Sequence, residues 1–165
     1  MGGKILMKSL IFKNGESLEF LDMYQTNEYV YDTVRDVLEF RFNPEYSLDK
    51  INELFSKENC KNLIIRETYE EFLPIIDAEG NEVLDENGEI TYESKEKYVD
   101  NTYNNYNILL SLSKSLYLPM HQTQISIRTA AMTETELRLE ELENNVDGVS
   151  EEELNNSYNE GVNSL

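Results

Sequence analysis

His121 is the only histidine in the chain, within Pro119-Met120-His121-Gln122-Thr123. A single imidazole has two routes to chemistry. It can serve as a general base toward a hydroxyl such as Ser126 or Thr123, which also requires an orienting carboxylate. It can ligate a metal, but with Cys60 as the only cysteine the remaining ligands would have to be carboxylates. No nucleophile elbow or ligand spacing surrounds it, so a packing or surface role is expected. Cys60 has no partner for an internal disulfide and reads as a small packing or turn residue. Glu70-Glu71, Glu140-Glu141 and Glu151 to Glu153 lie in polar runs, without the burial that raises a carboxyl pKa for acid catalysis.

Two acidic phrases, starting at Asp77 and Asp85, superficially suggest calcium loops. An EF-hand needs glycine at its sixth position, and here the sixth residues are Glu82 and Ile90. The phrases are better read as turns. Neither GxxxxGK[ST] nor GxGxxG occurs, so no phosphate cradle is expected. Eleven tyrosines could make a stacking platform for single strands, but Tyr98, Tyr103 and Tyr106 stand beside Asp100 with no basic residues between them. Packing and interface roles fit them better. The sequence thus predicts no catalytic residues, no cofactor and no metal, and a protein that works by binding other proteins.

Charge placement sharpens this reading. The net charge is −19. Residues 67–100 hold twelve acids and two lysines, and residues 134–165 hold ten acids and one arginine. The rest, 1–66 and 101–133, is neutral, with eleven acids and eleven bases. A neutral core with two acidic appendages is not expected to bind nucleic acid directly, because phosphate contacts need clustered Lys and Arg. The appendages read as solvated surface, with nucleic-acid mimicry or docking to a basic partner as the functional alternative. No stretch approaches the ~20 apolar residues of a membrane span, and no secretory signal is expected.

The elements that position these residues follow from periodicity. Residues 4–12 read as a strand and Lys13-Asn14-Gly15-Glu16 as a tight turn of the two-residue hairpin kind. Ser17 to Met23 reads as the return strand, and Leu38, Phe40 and Phe42 alternate on a third. The first 42 residues therefore predict a three-stranded antiparallel meander with one wet face. Ser47 fits an N-cap, and Leu48, Ile51, Leu54 and Phe55 give one apolar helical face ending near Glu58-Asn59. Leu63 to Ile65 reads as a short central strand. Residues 67–100 read as an inserted acidic protrusion, a hairpin with Val83-Leu84 and Ile90-Thr91-Tyr92 as arms turning at Asn87-Gly88. The chain then re-enters the core through Tyr103–Tyr117, with Tyr106, Ile108 and Leu110 in one parity, before a last strand over Gln124–Arg128. Thr133 and Glu136 form a capping box for a terminal helix. Leu139, Leu142, Val146 and Val149 fall on one stripe, too short for an autonomous coiled coil. A weaker helix capped by Ser150 is expected beyond, then a fraying end. Expected overall is an α+β domain over 1–132, carrying the 67–100 hairpin, followed by an acidic helix and tail over 133–165. The interaction residues are Val83, Leu84, Ile90 and Tyr92 on the protrusion, and Leu139, Leu142, Val146 and Val149 on the stripe.

Three stretches carry a resemblance. They are Tyr31 to Phe42 running into Ser47 to Phe55, Tyr106 to Leu112, and Thr129 to Leu142 closing on Asn145-Val146-Asp147. In this order they resemble a family of small proteins of phages and prophages of Gram-positive bacteria, encoded near tail-tip, baseplate or fibre genes. The resemblance spans about residues 4–147. It implies an opening β-hairpin, a short capped helix and a closing Glu/Leu-rich helix. It also implies a structural or assembly component of a phage tail or baseplate, made in the host cytoplasm and residing in the virion. Partners would be other tail or baseplate proteins, with self-association or assembly into a larger complex. The alternative is an acidic phage-encoded inhibitor occupying the basic channel of a host defence nuclease, which the charge distribution would suit.

Overall fold

The computed structural model describes residues 4–146, which divide into two units after Ala131. It is an α+β protein whose described residues form two antiparallel sheets of four strands each and two α-helices. The strands are β1 (Lys4–Ile11), β2 (Ser17–Glu19), β3 (Asp22–Val30), β4 (Thr33–Phe42), β5 (Asn62–Pro74), β6 (Tyr92–Asn104), β7 (Ile108–Tyr117) and β8 (Gln122–Ala130). The helices are α1 (Leu48–Leu54) and α2 (Glu134–Val146). One sheet has the order β2-β1-β5-β6 and the other β3-β4-β8-β7.

Alternation builds the core. Leu38, Phe40 and Phe42 of β4 and Ile125 and Ile127 of β8 are fully buried, while the intervening Glu39 and Arg41 pair on the other face. From the first sheet come Leu10, Leu18, Leu63 and Ile65. Helix α1 adds Ile51 and Leu54, and Phe55 just past its end meets the rings of Phe12, Phe40 and Phe42. Ser47 caps α1 as expected, accepting from the Lys50 amide, but the helix stops at Leu54 rather than near Glu58. Leu48 is exposed, so the buried face starts one turn later than its spacing suggested. Cys60 is buried in the same core, and burial pushes its thiol up to about 12, so the nucleophilic thiolate is suppressed.

The meander expected over the first 42 residues is instead two hairpins in different sheets. Ser17–Met23 is not one strand. The Phe20 amide still donates to Lys8 of β1, whereas the next amide, Leu21, donates to Arg41 of β4. The chain changes sheets at that peptide, which keeps Phe20 in the core and leaves Leu21 exposed. The β1–β2 turn is also longer than a two-residue loop. Phe12 and Glu16 close it, the Gly15 amide donates to the Phe12 carbonyl at 2.9 Å, and Gly15 takes φ +86°. That is a three-residue loop with glycine in the left-handed position. A true two-residue loop occurs where none was expected. Tyr31 and Asp32 join β3 to β4, with φ of 48° and 63°.

Leu63 to Ile65 begins a strand of thirteen residues, not a short one. The segment over Tyr103–Tyr117 likewise splits, since β6 ends at Asn104 in one sheet and β7 starts at Ile108 in the other. Tyr106, between them, is buried and its hydroxyl donates to Asp36. No helix among the described residues is long and apolar enough to cross a membrane.

In the second unit, the Thr133–Glu136 capping box forms reciprocally, with Thr133 N to Glu136 Oε2 at 2.8 Å and Glu136 N to Thr133 Oγ1 at 3.3 Å. Leu139 and Leu142 are 54% and 60% exposed. Their helix carries eight Glu, Asn or Arg residues from Glu134 to Asn145 that interrupt any wider apolar face. Val146 is the last helical residue described. Val149 and the helix expected after Ser150 lie outside the described residues.

Candidate interaction site at the ribbon tip

Residues 67–100 are not an insertion into the domain but the continuation of two of its own strands. β5 and β6 pair without a break from Asn62↔Asn104 to Pro74↔Tyr92. The described pairing of β1 with β5 ends at Lys4↔Glu70. From there the two-stranded ribbon runs four more residues to Pro74, about 13 Å at strand rise. No residue from Tyr69 to Asn105 is fully buried, and of this stretch it is Tyr103, near its end, that packs against the core.

At its end the ribbon opens into a three-way junction. The Ile75 amide donates to the Thr91 carbonyl at 2.9 Å, the Thr91 amide to Val83 at 2.9 Å, and the Val83 amide to Ile75 at 2.8 Å. The three hydrogen bonds form a closed cycle among residues eight apart. Two short hairpins leave this cycle, bridged at Ile76↔Glu82 and Leu84↔Ile90, and the ribbon itself is the third arm. Val83-Leu84 and Ile90-Thr91-Tyr92 are thus brought together as expected around the Asn87-Gly88 turn, and a second hairpin around Gly80 stands beside them.

The repeated acidic phrase explains both turns. Asp77 Oδ1 accepts from the amides of Glu79 and Asn81 at 3.0 and 2.8 Å, and Asp85 Oδ1 accepts from Asn87 and Glu89 at 2.8 and 2.9 Å. Gly80 and Gly88 follow at φ +89° and +80°, as in the Gly15 turn. The backbone amide of Asn81 does most to hold the Asp77 carboxyl below its ordinary range, and that of Glu89 does the same for Asp85. These acids staple loops, and their oxygens are engaged by amides.

Of the predicted protrusion residues, Leu84 and Tyr92 are more than half exposed, Ile90 is half-buried, and Val83 sits in the hydrogen-bond cycle. Ile76, 50% exposed, is the residue that the hairpin reading missed. Extending the eight-residue spacing of the Asp77 and Asp85 phrases backward and forward would have found it, because Ile76, Leu84 and Tyr92 occupy the same position of the repeat.

The ribbon's long edge is guarded. β6 ends its sheet, and Glu93, Lys95 and Lys97 along it are paired with Lys95, Glu93 and Glu71 respectively. Charged edges of this kind oppose strand addition. Farther down, Arg66 makes a two-pronged ion pair with Asp100 and lies 4.0 Å over the Tyr98 ring.

The residues considered for chemistry are elsewhere. His121 is an exposed turn residue at φ 49° between β7 and β8. The Ser126 hydroxyl donates to Glu39 at 3.1 Å. Among the described residues no three His, Cys, Asp or Glu side chains are grouped to hold a metal ion. No family model, curated protein or solved structure matches the chain.

Proposed function

We propose that this chain is a structural or assembly component of a phage tail or baseplate, acting through protein–protein contacts. The observation that carries the reading is the ribbon tip. Seventeen residues, 75–91, are held in a hydrogen-bonded fold that buries nothing in the body yet presents large apolar side chains to solvent. Exposed apolar side chains held in a defined arrangement, away from any core, favour a binding role over a stabilising one. The resemblance of Tyr31–Phe42, Tyr106–Leu112 and Thr129–Leu142 to small phage tail-region proteins supplies the setting.

A second reading, an acidic inhibitor seated in the basic channel of a host nuclease, draws on the six carboxylates between Ile75 and Thr91. A surface imitating a phosphate backbone would present charge where it makes contact. The tip presents Ile76, Leu84 and Tyr92 there, which favours the assembly role.

Mass spectrometry of purified particles separates the two. An assembly component of the tail is recovered in stoichiometric amount with particles, and an inhibitor is lost on purification. Absence from washed particles and from tail-assembly intermediates alike would sink the proposal.

A further inference from the structure

The tip's hydrogen-bond cycle has a consequence for where its side chains point. Directly opposed residues of an antiparallel pair project to the same face. The opposed pairs nearest the junction are Ile76↔Glu82, Leu84↔Ile90 and Tyr92↔Pro74. A step of eight residues converts the first pair into the second, and Tyr92 continues the series 76, 84, 92. With the cycle of Ile75, Val83 and Thr91 also closing on itself, the three arms are related by an approximate threefold. Ile76, Leu84 and Tyr92 therefore project to one side of the junction, 50%, 56% and 57% exposed.

Around this apolar trio the charge has one sign. Residues 75–91 contain Asp77, Glu79, Glu82, Asp85, Glu86 and Glu89 and no lysine or arginine. A second copy of the same tip would bring carboxylates against carboxylates, and nucleic acid would bring phosphates, so both are repelled. We infer that the tip face of Ile76, Leu84 and Tyr92 docks into a partner protein whose surface offers an apolar seat edged by lysine and arginine. The apolar trio supplies the contact area and the acidic rim the orientation and encounter rate. The cycle and the Asp77 and Asp85 staples fix the face before contact, which lowers the ordering cost of binding. This inference rests on the reading of the chain as a protein-binding assembly component.

The test uses the full chain and its triple variant Ile76→Ser, Leu84→Ser, Tyr92→Ser, which keeps every charge. Each is titrated at near-physiological salt with two synthetic probes. One is an amphipathic helical peptide of leucine and lysine, and the other a lysine–glycine peptide of equal charge. The leucine–lysine peptide is expected to bind the wild type at least tenfold more tightly than the variant, while the lysine–glycine peptide binds both alike. Equal affinity of the leucine–lysine peptide for both proteins overturns the inference. Amide shift mapping on the wild type gives a second measurement that does not depend on the variant folding. Perturbations centred on residues 75–92 support the tip, and perturbations centred on β3, β7 or α2 overturn it. Particle analysis then keeps the two ideas apart. Tip-dependent binding with no protein in particles leaves the docking face standing and removes the tail assignment. Protein in particles with tip-independent binding does the reverse.

Discussion

Asp77 and Asp85 show what a single residue does here. Each carboxylate accepts two amides of its own turn, so each is bound more firmly ionised than protonated. Both carboxyls are depressed below their ordinary 3.8, so the contribution they make is fully present above that value and is lost as pH falls through the lower folded value. Followed by NMR, the Gly80 and Gly88 amides should hold their native shifts down to pH 3.8 and move only below it. In Asp77→Asn, Asp85→Asn that step should vanish. A midpoint at or above 3.8 would show that the amide bonds do not hold the carboxylates. Much of this was legible in the sequence, because an acid followed three residues later by glycine is a local turn signal. The junction was not legible. It depends on which of three backbone segments meet, and backbone amides carry no residue-specific mark. Cys60 and His121 illustrate the same division. Cys60, read as a packing or turn residue, is buried in the core, and His121, read as a packing or surface residue, is exposed in the turn between β7 and β8, so local pattern narrowed each to two roles and only the fold chose between them.

At the scale of elements, alternation identified β4 and β8, because Leu38, Phe40 and Phe42 and then Ile125 and Ile127 line one buried face and period two is a strong signal. The same signal failed over Ser17–Met23. Alternation continues through the change of sheet, and only the partners reveal it, β1 up to Phe20 and β4 from Leu21 onward. The β3–β4 turn was missed for a chemical reason. A two-residue loop with both φ positive is normally marked by Asn-Gly, yet here Tyr31 and Asp32 adopt it. Left-handed backbone costs an ordinary L-residue about 1–2 kcal/mol. Tyr31 is 70% exposed and gives up little contact if replaced. Tyr31→Asn, Asp32→Gly should therefore raise unfolding stability by about 1–2 kcal/mol, read as a higher urea midpoint with the slope unchanged. A lower midpoint would mean that the tyrosine ring makes a stabilising contact exceeding the backbone relief. Helix α2 is different, since its stripe reads as an interaction surface that needs packing on the body or neighbouring copies, and Leu139 and Leu142 on it are exposed. With Leu142 60% exposed, Leu142→Asp should shift stability by no more than about 0.5 kcal/mol. A loss several times larger, growing with protein concentration, would reveal association of α2 with another copy.

For the whole molecule, charge and burial divide along the same line. The buried cluster draws on β1, β2, β4, β5, β8, α1 and their flanks, and residues 69–105 supply nothing fully buried. The tip's six carboxylates repel one another and the rest of a −19 chain, with no fully buried apolar side chain in the tip to offset that repulsion. Replacing residues 75–91 by Asn-Gly between Pro74 and Tyr92 keeps every β5–β6 pair and supplies the turn that a two-residue loop favours. It removes six acids and no base, taking the net charge from −19 to −13. The shortened chain should keep its fold and melt no lower than the wild type. The sharper expectation concerns salt. Repulsion among exposed charges is screened over a Debye length of about 10 Å at 0.1 M. The wild-type melting temperature should therefore climb as sodium chloride rises from a few millimolar toward that concentration, and the shortened chain should climb less. Calcium and magnesium at matched ionic strength serve as controls, since screening alone treats them alike. A calcium-selective rise confined to the wild type would instead mean that the acidic turns bind the ion, which stabilises in proportion to RT ln(1 + [L]/Kd). Collapse of the shortened chain at every salt concentration would mean that the junction of Ile75, Val83 and Thr91 holds β5 and β6 together, and that the tip belongs to the folding unit.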